Sequence, residues 1–179
     1  MFEKIKEKIL GNKEEINGTE MLESIDIMKA LGGEENLIDI DSCTTRLRLK
    51  VKDNDLVNED ELAKLGVSGV IKPSDGIVQV VMGEKSESIA NDIKKLINDK
   101  DLSEALLFIK AIGGGDNIIE IDSCTTRLRL KVKDSDKVDD SRLEELGALS
   151  IIKPSEGLVQ IVMGDKSSKI AEEMKKILL

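Results

Sequence analysis

The 179-residue chain has no histidine, tryptophan or tyrosine, and it carries only two phenylalanines and two cysteines. Without histidine, Ser-His-Asp triads, Cys-His pairs and most zinc sites are excluded, and neither a metal nor a cofactor is expected. Phe2 and Phe108 cannot make a stacking platform for bases or sugars. The cores must therefore be built from Ile, Leu, Val and Met. Long hydrophobic runs are missing as well: none approaches the ~20 apolar residues that span a bilayer. The opening MFEKIKEKIL is charged throughout and lacks the apolar segment of a secretory leader. These features lead us to expect a cytoplasmic chain. A net charge of −9 argues against a nucleic-acid partner, which requires a basic face. The thiols, Cys43 and Cys124, stand far apart with no second cysteine near either, unlike a disulfide framework or a CxxC motif.

What is present is a duplication. Shifting the sequence by 81 residues aligns 31–97 with 112–178 without a gap, and well over half of the paired positions are identical. Within that span IDSCTTRLRLKVKD recurs unchanged at 40–53 and 121–134. Solenoid repeats are shorter and lean on their neighbours, whereas a unit near ~80 residues can bury a core of its own. Two tandem domains are expected, at 19–98 and 102–179, joined by the polar NDKDL (98–102) and preceded by an extension, 1–18. Phe2, Ile5 and Ile9 in that extension share one helical face.

Each unit carries the same element signals. The first helix is expected near 20–31 and again near 102–112, opening in the second copy at Asp101 and Glu104 in capping-box spacing and closing at a glycine pair. LIDID (37–41) follows as a strand. TRLRLKV alternates strictly, with Leu47, Leu49 and Val51 on one face and Arg46, Arg48 and Lys50 on the other. A helix at 59–65 opens with Asn58 and Glu61 as a capping box. VIKPSDGIVQVVM reads as a hairpin, and 85–97 as a closing helix. Hairpin connections and one-sided alternation imply an α+β fold built twice, each sheet largely antiparallel with helices on its apolar face and water on the other.

The chemistry concentrates where the first strand turns into the second. Cys43 sits between Asp41–Ser42 and Thr44–Thr45, with Arg46 and Arg48 following. Nearby guanidinium groups lower a thiol's pKa, and the planar fork of Arg suits phosphate. Hydroxyls and backbone N–H groups in a tight loop can form an anion nest. The set suits a thiolate that takes and gives up a phosphoryl group, a transfer needing positioning and charge more than an acid–base pair. The donor must then come from another protein. Buried packing of the cysteine is the bland alternative, and a polar rim loop is a poor place for it. Lys50 and Lys52 read as solvated face, and glycines 32–33 and 113–114 as helix C-caps.

The residues NLIDIDSCTTRLR (36–48), LAKLG (62–66), VIKP (70–73) and VQVVMG (78–83), with their second-copy counterparts, strongly resemble the EIIB domain of the glucose superfamily of sugar phosphotransferase systems. The resemblance covers about 21–98 and 102–179. It implies two tandem split α/β sandwiches, each a four-stranded antiparallel sheet with three helices on one face. It also implies that Cys43 and Cys124 accept phosphate from a phosphohistidine of an EIIA protein and pass it to a sugar held by a membrane EIIC domain. By position, Arg46, Arg127, Arg48 and Arg129 match the arginines of onward transfer, and Thr45 and Thr126 the hydroxyl beside the phosphate. Gln79 and Gln160 match a position on the last strand, and Asp41 and Asp122 the acidic residue two before the cysteine. Thr44 and Thr125 either shape the turn or contact phosphate; Asp41 either sets local charge or caps the turn.

The chain itself has no membrane-spanning EIIC segment and no EIIA histidine. It is expected in the cytoplasm, reaching the inner face of the membrane through an EIIC partner. Its wording is nearest the glucose and N-acetylglucosamine branch. A soluble regulatory phosphocarrier or docking module, phosphorylated on cysteine without serving transport, is the alternative. Redox pairing of Cys43 with Cys124 would leave the arginines unexplained.

Overall fold

The computed structural model describes residues 18–178; the helical face of Phe2, Ile5 and Ile9 lies outside them. The alternation in TRLRLKV is realised as expected. Leu47, Leu49 and Val51 are at most 2% exposed, while Arg46, Arg48 and Lys50 face water. A strand with period-2 polarity can cover a core on one face only, so all helices gather on that side.

In the first half the elements run α1 (Gly18–Ala30), β1 (Leu37–Cys43), β2 (Arg46–Val51), α2 (Glu59–Lys64), β3 (Gly69–Ser74), β4 (Ile77–Val81) and α3 (Ser86–Asn98). The second half repeats them as α4 (Lys100–Ala111), β5 (Ile118–Cys124), β6 (Arg127–Val132), α5 (Asp140–Glu145), β7 (Ser150–Ser155), β8 (Leu158–Val162) and α6 (Lys166–Leu178). Each sheet is wholly antiparallel, in the order β1-β2-β4-β3 and β5-β6-β8-β7. The two tandem α+β sandwiches, each with four strands and three helices, are thus observed. The strand order puts β4 directly beside β2, which brings Gln79 opposite Arg48.

Two details differ from the sequence reading. Helix α4 begins at Lys100 and not near 102, because the Asp99 carboxylate accepts the Leu102 N–H at 3.1 Å and caps it. Asp101 and Glu104 instead reach Lys169 (2.8 Å) and Lys166 (3.2 Å) on α6. Asp99 is therefore the single residue between α3 and α4, so the polar NDKDL stretch is nearly all helix. At α2 only half of the expected capping box forms. Asn58 Oδ1 accepts the Glu61 N–H at 3.0 Å, but the Asn58 N–H is given to the Ala30 carbonyl, and the Glu61 carboxylate turns to Lys64.

The glycine pairs end α1 and α4 as expected. Gly33 N–H returns to Met28 O, five residues back, in a Schellman closure with Gly32 at φ 97°. A Cβ on Gly32 would come within 2.7 Å of the Asn36 amide. Asn36 is 1% exposed and saturated: its amide donates to Leu31 O and Asp53 O and accepts from Asp53 N–H. The motif's asparagine is thus a clamp between the end of α1 and the end of β2, repeated by Asn117.

One core belongs to the first half, around Ile27, Leu31, Leu47 and Ile93. The other holds Phe108, Ile109, Leu128 and Ile161, but it also takes Met21 and Ile25 from α1 and Leu96 from α3. Ion pairs Lys110–Asp26 and Lys100–Glu34 cross the same seam. The halves are welded through apolar packing, to which exposed ion pairs add little.

Candidate functional site

Cys43 ends β1, Arg46 begins β2, and the two are register partners across a turn of only Thr44 and Thr45. Two-residue hairpin turns favour glycine or asparagine at positive φ, which matches the twist of the strands. Here no non-glycine residue among those described has positive φ, so the Thr-Thr turn takes another conformation and is held from outside. The Thr45 carbonyl accepts N–H groups from both Met82 and Gly83, each at 3.1 Å; Thr126 accepts from Met163 and Gly164 in the same way.

The open face of each sheet then forms a small grid. Its first row runs Cys43, Arg46, Val81; its second runs Asp41, Arg48, Gln79. Arg46 Nη1 donates to Gln79 Oε1 at 3.2 Å, and Arg127 to Gln160 at 3.4 Å. The structure therefore gathers Cys43, Arg46, Arg48, Asp41, Thr44, Thr45 and Gln79 at one sheet edge, and does the same for Cys124, Arg127, Arg129, Asp122, Thr125, Thr126 and Gln160. Among the described residues none of these four arginines enters an ion pair, although Lys50, Lys72 and Lys153 on the same sheets each do. The guanidinium groups remain exposed and available to an anion.

The thiols are half-buried, and both have pKa values below the ordinary thiol range. The main cause is the backbone N–H of Thr45, or Thr126, directed at the sulfur. The N–H of Arg46, or Arg127, helps, as do the two guanidinium charges, and desolvation opposes them. The sequence pointed to the arginine charges; the amide groups of the turn act more strongly, because they point at Sγ itself. A lowered pKa enlarges the thiolate fraction at every pH beneath the usual value. Iodoacetamide should thus modify native Cys43 and Cys124 with pH midpoints below the ~8.5 of a free thiol, and unfolding should return both midpoints to it.

The edge is open and not a cleft. A groove of about 460 Å³ runs over the second sheet's open face past Asp122, Arg129 and Ser155. Ile71 and Ile77 stand 42% and 39% exposed beside Gln79, and Ile152 and Leu158 repeat them at 40% and 43%. One pair of residues was overlooked in the sequence. Ser86 and Ser167 are fully buried at the first turns of α3 and α6, and Ser167 Oγ donates to the Cys124 carbonyl at 2.9 Å. The signal was there, in GEKS and GDKS one period apart.

No helix among the described residues is long and apolar enough to cross a membrane. The family model for the phosphotransferase system EIIB domain matches twice, at residues 25–58 and 107–139. Among curated proteins, the N-acetylglucosamine-specific EIICBA component of Klebsiella pneumoniae is 45% identical over 73 residues, 41% of this chain and 11% of that protein. The corresponding Escherichia coli (strain K12) component is 36% identical over 95 residues, 52% of this chain and 15% of that protein. The N-acetylglucosamine-specific EIICB component of Bacillus subtilis (strain 168) is 46% identical over 71 residues, 40% of this chain and 16% of that protein. This chain thus spans no more than about a sixth of the length of these relatives. A crystal structure of one domain of the PTS system IIabc component from Clostridium difficile is 30% identical, covering 46% of this chain and 83% of that one, with a TM-score of 0.36.

Proposed function

Because the chain belongs to the EIIB family of the sugar phosphotransferase system, in two tandem copies, we propose that Cys43 and Cys124 each carry a phosphoryl group from an EIIA phosphohistidine to a sugar held by an EIIC domain. The carrying observation is the rim thiol itself, its pKa lowered chiefly by the turn amides, with two exposed arginines beside it that enter no ion pair among the described residues, present twice.

In the uptake step Sγ attacks phosphorus, the S–P bond forms, and the P–N bond to the donor imidazole breaks. The N–H groups of Thr45 and Arg46 lie where they can hold the sulfur before and after transfer, and Arg46 and Arg48 can compensate the charge on the phosphoryl oxygens. Gln79 restrains Arg46 by its hydrogen bond, and Asp41 lies across from Arg48. In the delivery step a sugar hydroxyl oxygen attacks phosphorus, the S–P bond breaks, and the thiolate leaves, stabilised by the same amides. The hydroxyl proton passes to a base in the EIIC domain. Exposed Ile71 and Ile77 beside the arginines suit protein partners, since apolar area ringed by charge favours docking. The names of the relatives favour N-acetylglucosamine or a related sugar as acceptor. The reading places the chain in the cytoplasm, at the membrane through its partner.

Incubation with phosphoenolpyruvate, the two general phosphotransferase proteins and an EIIA, followed by intact mass measurement, should add two phosphoryl groups per chain. No added mass would overturn the proposal. Adding EIIC vesicles and N-acetylglucosamine should then discharge both. Retention of phosphate against every EIIC and sugar offered would favour a regulatory phosphocarrier.

A further inference from the structure

The Thr125–Thr126 turn lacks the residues that stabilise a two-residue hairpin by themselves, and the described residues show how it is held. Three hydrogen bonds tie it to the corner between β8 and α6. Met163 and Gly164 N–H groups donate to Thr126 O at 3.1 and 3.2 Å, and Ser167 Oγ donates to Cys124 O at 2.9 Å. Gly164 makes the corner possible with φ 66°. Ser167 is fully buried, and its hydroxyl proton is shared between Cys124 O and Gly164 O, the latter at 2.7 Å. An ordinary helix cap accepts from the N–H groups of its first turn; this serine instead donates backwards, away from its helix.

We propose that Ser167 is a positioning residue for the Cys124 site, anchoring the cysteine's own carbonyl so that the following amides converge on Sγ. Ser86 is fully buried at the equivalent place behind Cys43, where Met82 and Gly83 likewise hold Thr45 O. Among the described residues, however, its hydroxyl donates to Gly83 O at 2.7 Å and not to Cys43 O, so the carbonyl anchor belongs to the second half. The carbonyl of Cys124 shares one rigid peptide plane with the Thr125 N–H. Holding it sets the direction in which the chain enters the turn, whose next two N–H groups, of Thr126 and Arg127, act on the sulfur. Fixing that oxygen removes one of the few rotations that would swing the turn off the sulfur. That the turn serves phosphoryl transfer rests on the reading above; its effect on the thiol does not.

The test uses the full chain and each cysteine as the other's control. In Ser167→Ala, which removes one oxygen and little volume, peptide-resolved iodoacetamide labelling should show the pH midpoint of Cys124 rising towards that of a free thiol. Its labelling rate at pH 7 should fall roughly three- to ten-fold, the span of one net hydrogen bond. Cys43 in the same molecule should keep its profile. An unchanged Cys124 profile, or equal shifts at both cysteines, would overturn the proposal, the second because it reports general loosening. Iodoacetamide needs only a thiolate. A midpoint shift without any phosphorylation by the donor proteins would therefore retain the positioning role and reject the transfer reading.

Discussion

Replacing both Cys43 and Cys124 by serine is expected to reduce phosphoryl uptake from two groups per chain to none detectable. Each single replacement should leave one group, on the other half. The substitution changes one atom, so a structural consequence is small: both residues lie half-buried at a polar rim, outside the two apolar cores. The chemical consequence is large. A serine hydroxyl stays protonated near neutral pH unless a base takes its proton, and this chain contains no histidine to do so. The turn amides and arginines stabilise an anion at Sγ, but they cannot create one from a hydroxyl. Intact mass measurement after incubation with the donor proteins reads the result directly. A relay from one half to the other would show a different pattern, in which one single replacement removes both groups.

The second large effect is on stability. Phe108→Ala should destabilise the fold by about 3–5 kcal/mol, the cost of deleting a fully buried ring from a core that collapses only in part. For a chain of this size that lowers Tm by roughly 6–20 °C. Phe108 is 0% exposed and is the one aromatic side chain among the described residues. Its cluster holds α4, β6 and β8 of the second half together with Met21, Ile25 and Leu96 of the first. The loss should therefore appear in one cooperative transition that includes both halves, followed by circular dichroism. A first half that melts at its original temperature while the second melts early would contradict the shared core. Ile27, one period earlier, lies in the first half's own cluster, and Ile27→Ala should cost about 2–5 kcal/mol.

Much of the site was legible because its physics is local. Alternation in RLRLKV assigns each side chain to a face without knowledge of the rest of the fold, so Arg46 and Arg48 were on the open side from the outset. The cysteine, the threonines and the arginines are contiguous in sequence and cannot be far apart. Identity between the two copies then marked the stretch as more than a solvated strand. The first helix was less legible: α1 and α4 have diverged, and the structure gives the reason. Met21 and Ile25 pack into the seam with the second half, whereas the residues of α4 build that half's own core. The joint is a related case. NDKDL is polar, as linkers are, but Asp99 can cap a helix and Lys100 can begin one, so polarity did not mean an irregular backbone.

The sequence by itself determined the duplication, the α+β class, the open cationic face and the loop with its thiol, all consequences of periodicity or adjacency. Only the tertiary structure decided three things. Strand order set Gln79 next to the arginines from thirty-odd residues away. The corner after the last strand bound the Thr-Thr turn, so that backbone amides more than arginine charges govern the thiol. And a single residue between α3 and α4 left room for a common core instead of a flexible tether. Each of these depends on groups distant along the chain meeting in space, and hydrogen bonds and apolar contacts act over a few ångströms whatever the separation in sequence.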